Sequence, residues 1–87
     1  MYYAYILYSE SFDKFYIGQT NDIVDRIKRH NAGSESYTKR YIPWVIKWCA
    51  QKPTRAEAMA LEKKLKNLSK KRLLIFMEKY SASPDES

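Results

Sequence analysis

Two tyrosine-containing segments near the N-terminus carry the side chains with the clearest capacity for acid–base chemistry. They read Tyr3-Ala4-Tyr5 and Tyr16-Ile17-Gly18. A tyrosine hydroxyl can accept or relay a proton if nearby cations lower its pKa from about 10. Arg26 and His30 follow one helical turn apart. Arginine can bind an anionic group through two parallel hydrogen bonds, and histidine can accept a proton near neutral pH.

One carboxylate among the ten of the chain, Glu62 on a later predicted helix, completes this set of reactive side chains. One carboxylate can hold a hard divalent cation when waters and substrate oxygens supply the other ligands, an arrangement that suits Mg²⁺. Taken together, these residue types are suited to proton transfer and charge stabilisation at an anionic substrate.

The elements that must position these residues begin with two short runs rich in aromatic and β-branched residues, at 2–8 and 15–20. The polar connection between them is short, which predicts an antiparallel hairpin. If its tip falls near residues 11–12, Tyr5 lies roughly opposite Tyr16. Both hydroxyls then point to one side of the sheet.

A helix is predicted from an N-cap at Asn21 or Asp22 to about Asn31, where Ala-Gly follows. On a helical wheel Arg26 and His30 lie along one edge of its apolar stripe. The stripe comprises Ile23, Val24 and Ile27.

The rest of the chain alternates loop, strand and helices. Residues 33–42 read as a polar, basic loop, and 44–50 as a third strand. Thr54 and Glu57 form a capping box that starts a helix reaching about Ser69. A last helix spans about 70–80. The order β-β-α-β-α-α predicts a small α/β domain whose central three-stranded antiparallel sheet is flanked by helices.

The formal net charge of +6 on 87 residues favours a polyanionic partner, most often nucleic acid. The lone Cys49 excludes an intramolecular disulfide, and no apolar run approaches the ~20 residues of a membrane span. A cytoplasmic protein with no membrane association is therefore expected. The basic residues expected to contact nucleic acid are Lys39, Arg40, Lys63 and Lys66.

The order and spacing of these residues resemble the GIY-YIG nuclease family, over about residues 1–75. Its specific part is Tyr16-Ile17-Gly18 followed by Arg26 and His30. The first motif has Tyr3-Ala4 where the family name has Gly-Ile. Within this family the chain looks like the small stand-alone bacterial branch, similar to the proteins related to the nuclease domain of the excision-repair subunit UvrC.

This resemblance implies a nuclease domain over residues 1–80, with a flexible tail at 81–87. It implies a metal-dependent endonuclease that hydrolyses DNA phosphodiester bonds, using Mg²⁺ or Mn²⁺, in DNA repair or recombination. The roles it implies are general base for Tyr5, positioning of water and phosphate for Tyr16, transition-state stabilisation for Arg26, proton relay for His30, metal binding for Glu62, and a basic contact for Lys14.

Each residue also has an ordinary structural interpretation. The two tyrosines can simply cover a sheet, Arg26 can pair with Asp22, and His30 can sit on the helix surface. Glu62 can pair with Lys66 one turn along its helix.

Many family members also carry an asparagine further along the chain, where this sequence reads Leu73-Leu74-Ile75. A non-catalytic nucleic-acid-binding domain that retains the nuclease fold is therefore the alternative to an enzyme. A purely structural module, with no salt-sensitive affinity for DNA, is the third possibility.

Overall fold

The computed structural model describes residues 1–80. The flexible tail expected at 81–87 lies outside this range. The predicted order and the three-stranded antiparallel sheet are confirmed, with a short 3-10 helix added inside the expected loop. The elements are β1 (Tyr2–Ser9), β2 (Lys14–Thr20), α1 (Ile23–Asn31), the 3-10 helix (Thr38–Tyr41), β3 (Val45–Lys52), α2 (Arg55–Lys66) and α3 (Lys70–Lys79).

Strand β1 is the centre of the sheet, with β2 on one side and β3 on the other. The hairpin pairs Ser9 with Lys14, so its tip falls near residues 11–12 as expected. Tyr5, however, pairs with Gly18 and not with Tyr16. The two tyrosines are displaced by two residues along the hairpin. Because side chains alternate with a period of two, they still lie on the same face.

The third strand begins at Val45, one residue later than expected, and continues to Lys52. Trp44 is instead held just outside the sheet by Asn31, whose amide group accepts from the Trp44 N–H at 2.6 Å and donates to its carbonyl at 3.0 Å. The indole is 2 % exposed. The end of α1 is thereby fixed to the segment that leads into β3.

The sheet separates two hydrophobic clusters, because neighbouring residues of β1 point to opposite faces. On the face covered by α1 and the 3-10 helix, the buried members are Tyr5, Leu7 and Trp44. On the face covered by α2 and α3, they are Ile6, Leu65 and Leu73. We call these the site face and the α2/α3 face.

Helix α1 buries a different stripe from the one that its apolar residues suggested. Val24 is 62 % exposed, so its predicted place in the stripe is wrong. Ile23 and Ile27 pack against the site-face cluster, and the third inward position belongs to His30, which is fully buried. A step of about 100° per residue places positions 23, 27 and 30 on one line and turns position 24 away from it.

Helices α2 and α3 start at side-chain caps. Thr54 accepts from the Glu57 N–H at 3.2 Å, which is the N-cap half of the predicted capping box. The Glu57 carboxylate accepts from the Thr54 hydroxyl at 3.0 Å, whereas a full capping box has it accept from the Thr54 backbone N–H. Helix α2 ends at Lys66, earlier than the expected Ser69, because Ser69 caps α3 by accepting from the Arg72 N–H. Within residues 1–80, no helix is long and apolar enough to cross a membrane.

Candidate active site

The side chain of Tyr5 lies across the backbone of β2 at Gly18. A Cβ atom at Gly18 would lie 2.5 Å from the Tyr5 hydroxyl oxygen and 2.7 Å from its Cζ. Only a residue without a side chain leaves room for this crossing. The glycine of the second motif therefore places the tyrosine of the first, a link that the register of the hairpin creates.

His30 joins Tyr5 to the 3-10 helix through hydrogen bonds at both ring nitrogens. The Tyr5 hydroxyl oxygen lies 3.1 Å from Nε2, and the Thr38 Oγ1 lies 2.8 Å from Nδ1. Tyr5 and His30 are 0 % exposed and Thr38 is 1 % exposed. These three side chains form a continuous buried chain, which we call the Tyr5–His30–Thr38 chain. Burial excludes the alternative in which His30 is a surface residue.

Thr38 was not identified from the sequence as a functional residue. It lies in a segment that reads as a polar loop, where one hydroxyl among several carries no distinguishing pattern. The sequence offers only an indirect signal. The large aromatic residues Tyr41 and Trp44, at and just after the end of that segment, indicate that it packs against the core. The Trp44 indole donates to the Thr38 carbonyl at 2.8 Å, and this contact holds the 3-10 helix against the core.

Tyr16 covers the Tyr5–His30–Thr38 chain on the site face. Its ring centre lies 6.4 Å from that of Tyr5 and 5.0 Å from that of His30. It is less buried than Tyr5. Tyr16 is therefore placed between the buried chain and the surface.

Burial raises the pKa of Tyr5 well above the usual value for tyrosine, with the phenol of Tyr16 as the next cause. The guanidinium of Arg26 acts in the opposite direction but does not outweigh burial. The condition for proton acceptance by a tyrosine, a pKa lowered overall by nearby cations, is therefore not met at Tyr5. Desolvation destabilises a phenolate on this closed face by more than one arginine stabilises it. Tyr5 is therefore protonated at neutral pH.

Burial also lowers the pKa of His30, and Arg26 and Arg29 contribute in the same direction while Glu35 opposes them. His30 is therefore a neutral imidazole at pH 7, with one ring nitrogen available as an acceptor.

Arg26 forms no ion pair with Asp22 within residues 1–80. The contact between these two residues is a backbone hydrogen bond from the Arg26 N–H to the Asp22 carbonyl.

Glu62 has the least direct connection to the site. It lies on α2, which packs against the α2/α3 face, and its charge is the smallest of the contributions that shift the pKa of Tyr5. Its side chain is 20 % exposed and pairs with Lys66 at 2.9 Å. The ordinary i,i+4 ion pair is thus present, and Lys66 is engaged with a carboxylate.

The donor set around Glu62 restricts the kind of metal ion that it can hold. No group of three His, Cys, Asp or Glu side chains within residues 1–80 is arranged to enclose a metal ion. This arrangement does not fit a cation ligated wholly by protein. It fits Mg²⁺, which retains waters and is commonly held by one or two carboxylates together with substrate phosphates.

The other basic residues named from the sequence lie at the surface. Lys39 and Arg40 are exposed on the 3-10 helix, and Lys63 is exposed on α2. The ammonium group of Lys14 lies 5.5 Å from the centre of the Tyr41 ring, on the site face. Lys39 and Arg40 therefore lie on the same 3-10 helix as Thr38, and Lys14 lies on β2 with Tyr16. Lys63 belongs to the helix that carries Glu62.

A small sheet whose buried tyrosine and histidine share a hydrogen bond beside an arginine defines a candidate active site for acid–base chemistry. The model of the GIY-YIG catalytic domain matches residues 1–80. The chain therefore belongs to the GIY-YIG family, which is a family of nucleases. The resemblance seen in the sequence is confirmed.

The chain is also similar to a solved structure. The solution NMR structure of the UPF0213 protein BH0048 from Bacillus halodurans is 31% identical to this chain, with a TM-score of 0.58. The match covers 90% of this chain and 84% of that one. Among curated proteins, none matches this sequence closely enough to add to the comparison.

The crossing of Tyr5 over Gly18 predicts that Gly18→Ala reduces the free energy of unfolding by about 1–3 kcal/mol, because a methyl group is forced into occupied space. It also shifts the His30 ring resonances, since Tyr5 must move. Gly33→Ala is the control. Its φ of +81° makes alanine costly there, yet its nearest neighbours are 3.8 Å away. Urea denaturation and NMR test both variants; unchanged His30 resonances in Gly18→Ala contradict the prediction.

The lowered pKa of His30 predicts a pH dependence of stability. The unfolded chain takes up a proton near pH 6.5, whereas the folded chain resists it. The stabilisation is therefore complete above pH 6.5 and is lost as the pH falls, by at most about 1.4 kcal/mol per pH unit. His30 is the sole histidine. Urea denaturation between pH 5.5 and 7.5 should show this slope in the wild type and lose it in His30→Gln; equal slopes contradict the prediction.

Proposed function

We propose that this chain is a metal-dependent endonuclease that hydrolyses phosphodiester bonds in DNA. The observation that carries the proposal is the Tyr5–His30–Thr38 chain in a GIY-YIG domain, because it couples a hydroxyl to a neutral imidazole on a face that also holds Arg26. Its setting in repair or recombination follows from the family resemblance, and its setting in the cytoplasm from the lone cysteine and from apolar runs too short to span a membrane.

The first step of the proposed mechanism is proton transfer through Tyr5. Since burial keeps the phenol protonated, Tyr5 acts as a relay rather than as a preformed phenolate. We assign the proton of His30 to Nδ1, donating to Thr38, which leaves Nε2 to accept from the Tyr5 hydroxyl. As water attacks phosphorus, its proton passes to the Tyr5 oxygen and the Tyr5 proton passes to His30. The bond from phosphorus to the leaving oxygen breaks, that oxygen takes a proton from solvent water, and His30 returns its proton to solvent.

Arg26 and Tyr16 act on the substrate in this mechanism. The guanidinium of Arg26 binds two phosphoryl oxygens and stabilises the charge that grows on them during attack. The charge of Arg26 acts to lower the pKa of the Tyr5 hydroxyl, so the guanidinium is near that hydroxyl. In this mechanism the attacked phosphate therefore binds beside both groups. The Tyr16 hydroxyl orients the water and the phosphate.

Glu62 is the residue that would hold the divalent cation. When bound, the cation supplies Lewis-acid stabilisation of charge on the phosphoryl oxygens. To bind the cation, Glu62 must first break its ion pair with the exposed side chain of Lys66. A surface pair of this kind contributes only about 0.3–0.5 kcal/mol to the free energy of unfolding. The cost of freeing the carboxylate is therefore small.

Glu62→Gln is expected to reduce Mg²⁺-dependent cleavage by more than about 100-fold, because several kcal/mol of charge stabilisation are lost. The fold and the affinity for DNA should be nearly unchanged, since the lost ion pair is weak. The measurement is cleavage of labelled duplex, branched and single-stranded DNA with Mg²⁺, Mn²⁺ or EDTA. Glu78→Gln, an exposed carboxylate change on α3, is the matched control.

Cleavage by Glu62→Gln at the wild-type rate contradicts the metal assignment. Absence of cleavage by the wild type on every substrate, with DNA binding retained, instead supports the non-catalytic alternative. The hydrophobic segment Leu73-Leu74-Ile75, which replaces the asparagine of many relatives, then accounts for the missing activity.

Binding to duplex DNA should weaken steeply with salt, through phosphate contacts on the site face. Lys39→Gln with Arg40→Gln is expected to flatten the slope of log K against log[salt] by about 0.9 for each contact removed. Lys71→Gln with Arg72→Gln makes the same charge change on α3. Equal flattening in both double variants contradicts a site-face path and indicates that overall charge governs binding.

A further inference from the structure

A row of aromatic rings leads from the candidate active site to the surface. Tyr37 lies with its ring centre 6.2 Å from that of Tyr16. Tyr41 follows at 5.4 Å from Tyr37, and Phe12 at 5.4 Å from Tyr41. We call Tyr37, Tyr41 and Phe12 the aromatic strip.

The strip leaves two of its rings exposed to solvent. Tyr37 is 51% exposed and Phe12 is 49% exposed, whereas Tyr41 is partly buried and packs on Trp44 at 6.3 Å. Tyr41 thus anchors the strip to the site-face cluster. A small domain gains little from exposing two aromatic rings that both contact a third, and exposed aromatics grouped in this way are characteristic of binding surfaces.

Positive charge accompanies the strip. The Lys14 ammonium lies 5.5 Å from the centre of the Tyr41 ring, within cation–π range. Lys39 and Arg40 are exposed on the 3-10 helix immediately before Tyr41. The nearby carboxylate of Asp13 is engaged by Lys70 and by the Tyr8 hydroxyl, so its charge is offset.

We propose that the aromatic strip is a stacking surface for unpaired nucleobases, and that it selects single-stranded segments next to the scissile phosphate. Aromatic rings interleaved with basic side chains are the surface that single strands require, because every base has a face to stack and every phosphate a charge to neutralise. A base-paired duplex keeps its bases stacked inside and cannot use the rings. This inference rests on the proposed function, since it names the class of substrate for that site.

Equilibrium binding in EDTA tests the proposal without requiring catalysis. The probes are a short fluorescent oligothymidylate, an abasic oligonucleotide of the same length and charge, an oligouridylate, and a duplex. Tyr37→Ala and Phe12→Ala should each weaken binding to oligothymidylate by about 5- to 150-fold. Both should leave affinity for the abasic strand and the duplex unchanged. Tyr37→Phe, which retains the ring, should bind as the wild type does.

The chain offers a matched control at the other end of the fold. Tyr80 is 48% exposed, and the Lys79 ammonium lies 5.5 Å from its ring centre, which reproduces the pairing of lysine and tyrosine in the strip. Tyr80→Ala should leave all four affinities unchanged. Comparison of oligothymidylate with oligouridylate shows whether the strip prefers DNA or RNA, because only RNA carries the 2′-hydroxyl.

Two outcomes overturn the proposal. One is equal wild-type affinity for the base-bearing and abasic strands. The other is an equal loss on both strands in Tyr37→Ala, which indicates a structural role. If the wild type cleaves DNA and either of these two binding outcomes is observed, the inference fails and the proposed function stands. If no cleavage occurs but the strip variants lose oligothymidylate binding, the proposed function fails and the stacking surface stands.

Discussion

The site face depends on the burial of one uncharged imidazole between two hydroxyls. A polar ring removed from water is costly unless its nitrogens are hydrogen-bonded, and His30 meets this condition only when Tyr5 and Thr38 are both in place. The two partners come from β1 and from the 3-10 helix. The hydrogen bonds therefore fix α1, the sheet and the 3-10 helix relative to one another.

This burial also determines how the proposed chemistry can proceed. A closed site keeps Tyr5 protonated and His30 neutral, so neither group is a strong base by itself. The hydrogen bond between them resolves this, because the oxygen can accept a proton as it gives one up. In the proposed mechanism the main role of Arg26 is at the phosphate, since its guanidinium does not outweigh burial in setting the pKa of Tyr5.

The sequence contained enough to predict the order of the elements, the N-cap of α2 at Thr54 and the shared face of the two tyrosines, because these follow from local periodicity and cap chemistry. It did not show that His30 is fully buried, since a histidine beside an apolar stripe is also compatible with exposure. Thr38 and the pairing of Tyr5 with Gly18 could not be read from local patterns. Both result from contacts between segments distant in the chain, namely the hairpin register and the fold of 33–44 onto α1.

The division of the molecule by its sheet explains why a domain this small can hold a polar site. On the α2/α3 face, the buried members of the hydrophobic cluster are Ile6, Leu65 and Leu73, all of which are apolar. On the site face, Tyr5 belongs at once to the hydrophobic cluster and to the hydrogen-bonded chain. Stability on one face is therefore largely independent of chemistry, whereas on the other the same residues supply both. The proposed functional residues that this apolar side contributes are Glu62, Lys63 and Lys66, all carried by α2.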